Sequence, residues 1–143
     1  MRWDFLVSCV AADLGWGEWV AWEIESRNRR VRLEAWDARP GTNRVHSLHD
    51  ALRSSGRMVV VVSPSYLADA DVAGQWHAVW QADPLGVRRS LVPVLVAPCE
   101  PDGLLRDIRP IDLVGSTEEE ARIRLAEELE GTRPRAPRRP LFP

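Results

Sequence analysis

The chain has 143 residues, a formal net charge of -2 and an apolar share of 45%. That length suits one compact domain and is too short for two, and the near-neutral charge gives no global pull toward nucleic acid. No apolar run approaches the roughly 20 residues that cross a bilayer, the opening MRWDFLVS lacks the apolar stretch of a signal peptide, and Cys9 and Cys99 have neither disulfide nor metal-ligand spacing, so a cytoplasmic protein with free, buried cysteines and no membrane contact is expected.

Residues 3–8, WDFLVS, read as a first strand. Asp13 is placed to cap a helix over 14–26, with Trp16, Trp19, Val20, Glu23 and Ile24 along one stripe. A short β-type segment at 31–35 precedes the breaker run Arg39, Pro40, Gly41, Thr42, Asn43. A second helix over 45–54 places Val45, Leu48 and Leu52 on one side and ends at Gly56, as a C-cap would. Residues 58–62, MVVVV, form a continuous apolar run that marks a strand buried on both faces. Ser63 and Pro64 then open a helical region, with proline in the first turn, that carries Trp76, Val79 and Trp80 and stops at Asp83-Pro84-Leu85-Gly86. A fourth strand over 91–96 tolerates Pro93 only where it is peripheral or bulged, and a fifth is expected near 108–113. Ser116, Thr117, Glu118 and Glu119 form a capping pattern for a last helix reaching about residue 130.

Strands and helices thus alternate five times, which calls for an α/β fold with a parallel sheet and helices on both faces. Ligands in such sheets bind beyond the carboxyl ends of the strands, so the loops after Ser8, Ala35 and Ser63 are where chemistry is expected. From Thr132 the composition changes to TRPRAPRRPLFP, with proline at every third position from Pro134 to Pro140. Two regions follow: a domain over 1–131 and a Pro/Arg-rich tail or linker over 132–143, extended as polyproline II or serving as an anion- or partner-binding arm.

Four segments, WDFLVSCVAAD with WGEWVAWEIE, then EAWDARPGTN, VVVVSPSYLAD and GQWHAVWQADPLG, occur in an order and spacing that resembles bacterial TIR domains, those at the front of immune or signalling proteins especially. The resemblance spans residues 3 to 130. It implies a flavodoxin-like five-stranded parallel sheet, self-association with other TIR domains as a homo-oligomer or filament, and, in many members, cleavage of NAD+ to nicotinamide and an ADP-ribose product. NAD+ would then be substrate or ligand, with no separate cofactor and no metal, and defence against phage would be the setting. By the same resemblance Arg39, Pro40, Gly41, Thr42 and Asn43 form the loop that gates the pocket and contacts neighbouring TIR domains; the run also reads as a plain tight turn, which Pro-Gly favours in any fold. Ser8, Cys9, Trp36, Arg39, Asn43 and Asp71 are the implied substrate contacts.

Catalytic TIR domains carry a glutamate on the helix after the third strand, facing the nicotinamide ribose, and the resemblance places Gln75 at that position. Breaking the bond between nicotinamide and ribose builds positive charge on the sugar, as in glycoside hydrolysis, and a nearby carboxylate stabilises it. Glutamine keeps the shape and one acceptor oxygen but no charge. A unit charge at ~4 Å in an effective dielectric of ~20 interacts by roughly 4 kcal/mol. At about 1.4 kcal/mol per decade, its loss slows turnover on the order of a thousandfold. Two further departures point the same way: Asp71 stands where relatives place an aromatic residue, and Cys9 where many have tyrosine. The expectation is an assembly module with a weak or silent NAD+ site. The alternative is an NAD+ glycohydrolase, if Gln75 replaces a native glutamate or another carboxylate such as Glu34 substitutes for it.

The remaining candidates carry less. Trp36 is a nucleotide-stacking residue or rim packing. His46 and His49 lie three apart on one helix but have no third ligand partner, and His77 is a lone histidine beside the site. A phospho-receiver domain, by resemblance, would need paired acids after the first strand and a lysine after the fifth, and all 19 basic residues here are arginine. A Rossmann dehydrogenase would need G-x-G-x-x-G after a strand, which is absent.

Overall fold

The computed structural model describes residues 3–101, 103–130, 139 and 141–143, with the backbone alone for Arg44, Val45 and Leu48. Of the tail over 132–143 only residues 139 and 141–143 are described, and the side chains of Val45 and Leu48 in the expected stripe lie outside the described residues. Five strands, β1 Trp3–Ser8, β2 Val31–Leu33, β3 Ser55–Val62, β4 Leu91–Leu95 and β5 Ile111–Asp112, form one parallel sheet in the order β2-β1-β3-β4-β5. Among the described residues the α-helices are α1 Leu14–Glu25, α2 Glu34–Asp37, α3 Arg44–Ser54, α4 Pro64–Leu67, α5 Ala70–Ala82 and α6 Glu118–Leu129.

Because successive strand residues face opposite ways, the apolar runs divide between two cores. Phe5, Val7, Val59, Val61 and Val94 pack with Val20 and Ile24 of α1 and Leu125 of α6. On the other face Leu6, Met58, Val60 and Val62 meet Ala51 of α3, Tyr66 of α4, and Val72 and Trp76 of α5. On the first face Glu23 of α1, only 2% exposed, pairs with Arg122 of α6 at 3.3 Å, which ties the two helices together.

Several local expectations need correction. Asp13 precedes α1 but does not cap it; its carboxylate instead accepts from the Ser63 hydroxyl across the strand ends. The second strand stops at Leu33, because the Asp37 carboxylate folds back to accept from the Leu33 N–H at 2.9 Å, and residues 34–37 close as a helical turn. Gly56 is not a C-cap. It lies inside β3, where a Cβ would come within 3.2 Å of the Asp4 carbonyl oxygen, so glycine there permits a close strand approach. The helical region after Ser63 is two helices: Ser63 caps α4, and the Asp69 carboxylate, accepting from the N–H groups of Asp71 and Val72, starts α5 afresh.

Pro93 sits in an interior strand, not a peripheral one. The Val96 N–H donates to Val62 of β3 and the Leu95 carbonyl accepts from Leu113 on the other side, so by alternation the nitrogen of Pro93 faces β5. That strand pairs only with Val94 and Leu95, so no ladder bond is lost. The fifth strand is shorter than expected because a 3-10 turn over Gly103–Asp107 takes up the chain before it.

Candidate functional site

Strand order reverses between β1 and β3, and the crevice beyond their carboxyl ends is where a doubly wound sheet leaves room for a ligand. A cavity of about 280 Å³ is walled by the end of β1, by β2 and the start of α2, and by one face of α5, the helix that follows β3 and α4; no residue of β3 itself lines it. Ser8, Cys9 and Gln75, three of the residues singled out in the sequence, lie on its wall together with Arg32, Glu34 and Val72. Leu6, Val7, Val10, Leu14 and Leu33 make much of the remainder apolar.

The floor is built from the core outward. Ser8 is buried, and its hydroxyl lies 3.0 Å from that of Tyr66, also buried, so β1 and α4 are joined beneath the cavity. Burial pushes the Tyr66 phenol well above its ordinary value, against the downward pull of the Ser8 bond. Ser63 is held twice, donating to the Asp13 carboxylate and accepting from the Tyr66 N–H. Cys9 stands half-buried beside α1, where Gly17 makes the approach possible: a Cβ there would lie 2.5 Å from the Cys9 sulfur. Burial, reinforced by the charges of Asp13 and Glu18, pushes the Cys9 thiol up to about 11. It is therefore protonated at neutral pH and is no nucleophile.

Gln75 reaches the cavity because α5 turns Val72 and Gln75, three residues apart, toward it while Trp76 goes into the core. The other expected contacts are not brought to this wall. Trp36 is 41% exposed, and its indole N–H donates to Glu18 at 3.0 Å, a link between α2 and α1. Asp71 is exposed in the first turn of α5. Arg39, Pro40, Gly41, Thr42 and Asn43 form an exposed loop between α2 and α3. Gly41 takes a φ of +86° that favours glycine, Thr42 closes the turn onto the Arg39 carbonyl, and Asn43 caps α3 through the His46 N–H. Among the described residues no group of histidines, cysteines and acids could hold a metal ion, and no helix is long and apolar enough to cross a membrane.

Sequence reasoning passed over Arg32. The signal was present: a lone charged residue between Val31 and Leu33 in a strand that is buried throughout.

A five-stranded parallel sheet in the order β2-β1-β3-β4-β5, flanked by helices on both faces, defines a flavodoxin-like α/β domain. The profile of the TIR domain family matches residues 5–126, and the chain belongs to that family. TIR domains are signalling modules that associate with one another. The fold is similar to the TIR domain of the Toll-related receptor TRR-2 from Hydra magnipapillata, with a TM-score of 0.72 at 19% identity, over 91% of this chain and 97% of that one. It is also similar to a metazoan TIR-STING receptor from C. gigas solved in complex with 2',3'-cGAMP, with a TM-score of 0.70 at 22% identity over 86% of this chain. A second structure of a TIR-STING receptor from C. gigas gives a TM-score of 0.64 at 20% identity over 87% of this chain. The match spans only 39% of each of those receptor chains. Among curated proteins none matches the chain in sequence.

Proposed function

We propose that this chain is a TIR assembly module, of the kind found in bacterial immune proteins, that carries an NAD+ site with Gln75 at the catalytic glutamate position. The observation that carries this reading is that Gln75 shares one cavity wall with Ser8 and Cys9 beyond the strand ends. At about 280 Å³ the cavity is below the ~300–1,000 Å³ usual for ligand pockets, so it suits one half of a dinucleotide, with the other half outside it. Self-association through the exposed loop over 39–43 would then cover the remainder. Gln75 offers an acceptor to the ribose hydroxyls but no charge to the developing cation, so turnover is weak or absent.

A second reading has a specific observation behind it. Glu34 lies on the same wall as Gln75, which puts a carboxylate on this cavity and favours a glycohydrolase in which it substitutes for the missing glutamate.

Nicotinamide release from NAD+ by concentrated protein decides between the readings. The chain is expected to be silent and Gln75→Glu to be active. Turnover by the chain itself that disappears on Glu34→Gln would establish the second reading, and inertness of both chains even when driven to self-associate would remove the enzymatic site altogether.

A further inference from the structure

Four polar or charged residues are buried among the described residues: Ser8, Glu23, Arg32 and Ser63. Three of them are matched. Ser8 meets Tyr66, Glu23 meets Arg122, and Ser63 meets Asp13. Arg32 is the exception. It is 6% exposed, and its Nη1, out of contact with solvent, has no hydrogen-bond partner. Register explains the placement: Arg32 pairs with Leu6, so both point to the face of α3 and α5, whereas Val31 and Leu33 point to the face of α1.

A buried carboxylic acid or lysine without a partner can neutralise itself, but a guanidinium cannot release its proton in a protein. An uncompensated buried charge is among the costliest features a fold can retain. Arg32 lines the cavity that Gln75 lines, so the place open to a counter-charge is the cavity itself.

We infer that this cavity takes an oxyanion, held by the Arg32 guanidinium, as one end of a larger sugar-phosphate ligand. The inference deepens the reading of the cavity as a nucleotide site but does not depend on nicotinamide or on turnover. The cavity, at about 280 Å³, is roughly nine times the ~30 Å³ share of a water molecule, far more than a bare oxyanion fills. The Gln75 amide presents donors and an acceptor suited to sugar hydroxyls, and the apolar walls suit the body of such a ligand. With Gln75 uncharged, the Arg32 guanidinium is the group on this wall suited to the phosphate of a phosphorylated ribose. The planar guanidinium meets a phosphate or carboxylate with two parallel N–H bonds, which the point charge of lysine does not reproduce.

The test is calorimetric titration of the chain in phosphate-free buffer with ADP-ribose, adenosine, NAD+, inorganic phosphate and a sugar carboxylate (glucuronate). ADP-ribose is expected to bind, adenosine to bind at least tenfold more weakly, and Arg32→Met to weaken ADP-ribose by about ten- to a hundredfold. Arg32→Lys should recover little. The melting temperature of the unliganded Arg32→Met chain should equal or exceed that of the parent, because an unmatched buried charge has gone. Glucuronate binding through Arg32 more tightly than ADP-ribose would overturn the phosphate assignment. So would ADP-ribose binding that ignores Arg32→Met, an absence of anion binding to the parent, or a marked fall in melting temperature in the variant. A Gln75→Glu chain that turns over NAD+ while ADP-ribose binding ignores Arg32 sinks this inference and spares the NAD+ reading. An inert Gln75→Glu chain that binds ADP-ribose through Arg32 does the reverse.

Discussion

The hydroxyls of Ser8 and Tyr66 lie 3.0 Å apart in the core, 58 residues apart in sequence, and join the end of β1 to α4 directly beneath the cavity. Removing one partner strands the other, so Tyr66→Phe or Ser8→Ala should each cost about 1–3 kcal/mol in urea unfolding. The double variant should cost less than the sum of the two, because no hydroxyl is then left unmatched.

The same floor gives the protein an alkaline limit. A group whose folded pKa is raised binds its proton more tightly when folded, so its contribution to stability is complete below the unfolded value and is lost as pH rises toward the folded one. For Cys9 the window runs from 9.0 to about 11, and for Tyr66 the loss begins above 10.0. Melting temperature should therefore hold through pH 8 and fall above pH 9, and the first part of that fall should shrink in Cys9→Ala. Alkylation followed by mass spectrometry should find Cys9 slow at pH 8 and accelerating toward pH 11.

Gly17 is where α1 meets the Cys9 sulfur. Gly17→Ala puts a methyl 2.5 Å from that sulfur, and the helix must shift, at about 1–3 kcal/mol of stability. Cys9→Ala removes the sulfur and leaves a 3.3 Å contact with the Cβ of residue 9 and an ordinary 3.6 Å one with Leu33, so the double variant should regain most of the loss. A double variant no more stable than Gly17→Ala alone would place the clash elsewhere.

Arg122 contacts three carboxylates, Glu23, Glu118 and Glu119, but only Glu23 is buried. Arg122→Met should destabilise the chain far more than Glu118→Gln or Glu119→Gln, since it leaves a carboxylate in the core without its counter-charge. Glu23→Leu combined with Arg122→Met should be more stable than Arg122→Met alone. Chemical denaturation of the four variants ranks them.

Arg39 is exposed at the head of its loop, so Arg39→Ala should leave the melting temperature unchanged. If this loop carries self-association, sedimentation at high concentration should show a smaller assembly for the variant. Equal sedimentation of the two chains would move the interface to another surface.

Much of the fold was legible in the sequence because apolar runs such as Val59 to Val62 allow one placement only, in the middle of a parallel sheet. The first strand, the caps at Ser63 and Thr117, and the place of Gln75 on α5 were readable for the same kind of local reason. What escaped was settled by distant partners. Asp13 has the sequence position of a helix cap, yet Ser63, 50 residues away, takes its carboxylate. Asp37 cuts the second strand short through a bond that no strand pattern foretells. Arg32 drew no notice as a lone charge in a short strand, and its register with Leu6 shows which face of the sheet it takes.

The sheet ends on both sides in very short strands, three residues in β2 and two in β5. Another chain would find only a few backbone groups on either border with which to extend the ladder, and strands that short are a recognised guard against edge-to-edge fibrils. If copies of this domain associate, that leaves loops and helix surfaces as the meeting ground, whose contacts are side chains and can be undone one by one. Contacts of that kind come apart without the unpicking of a backbone ladder.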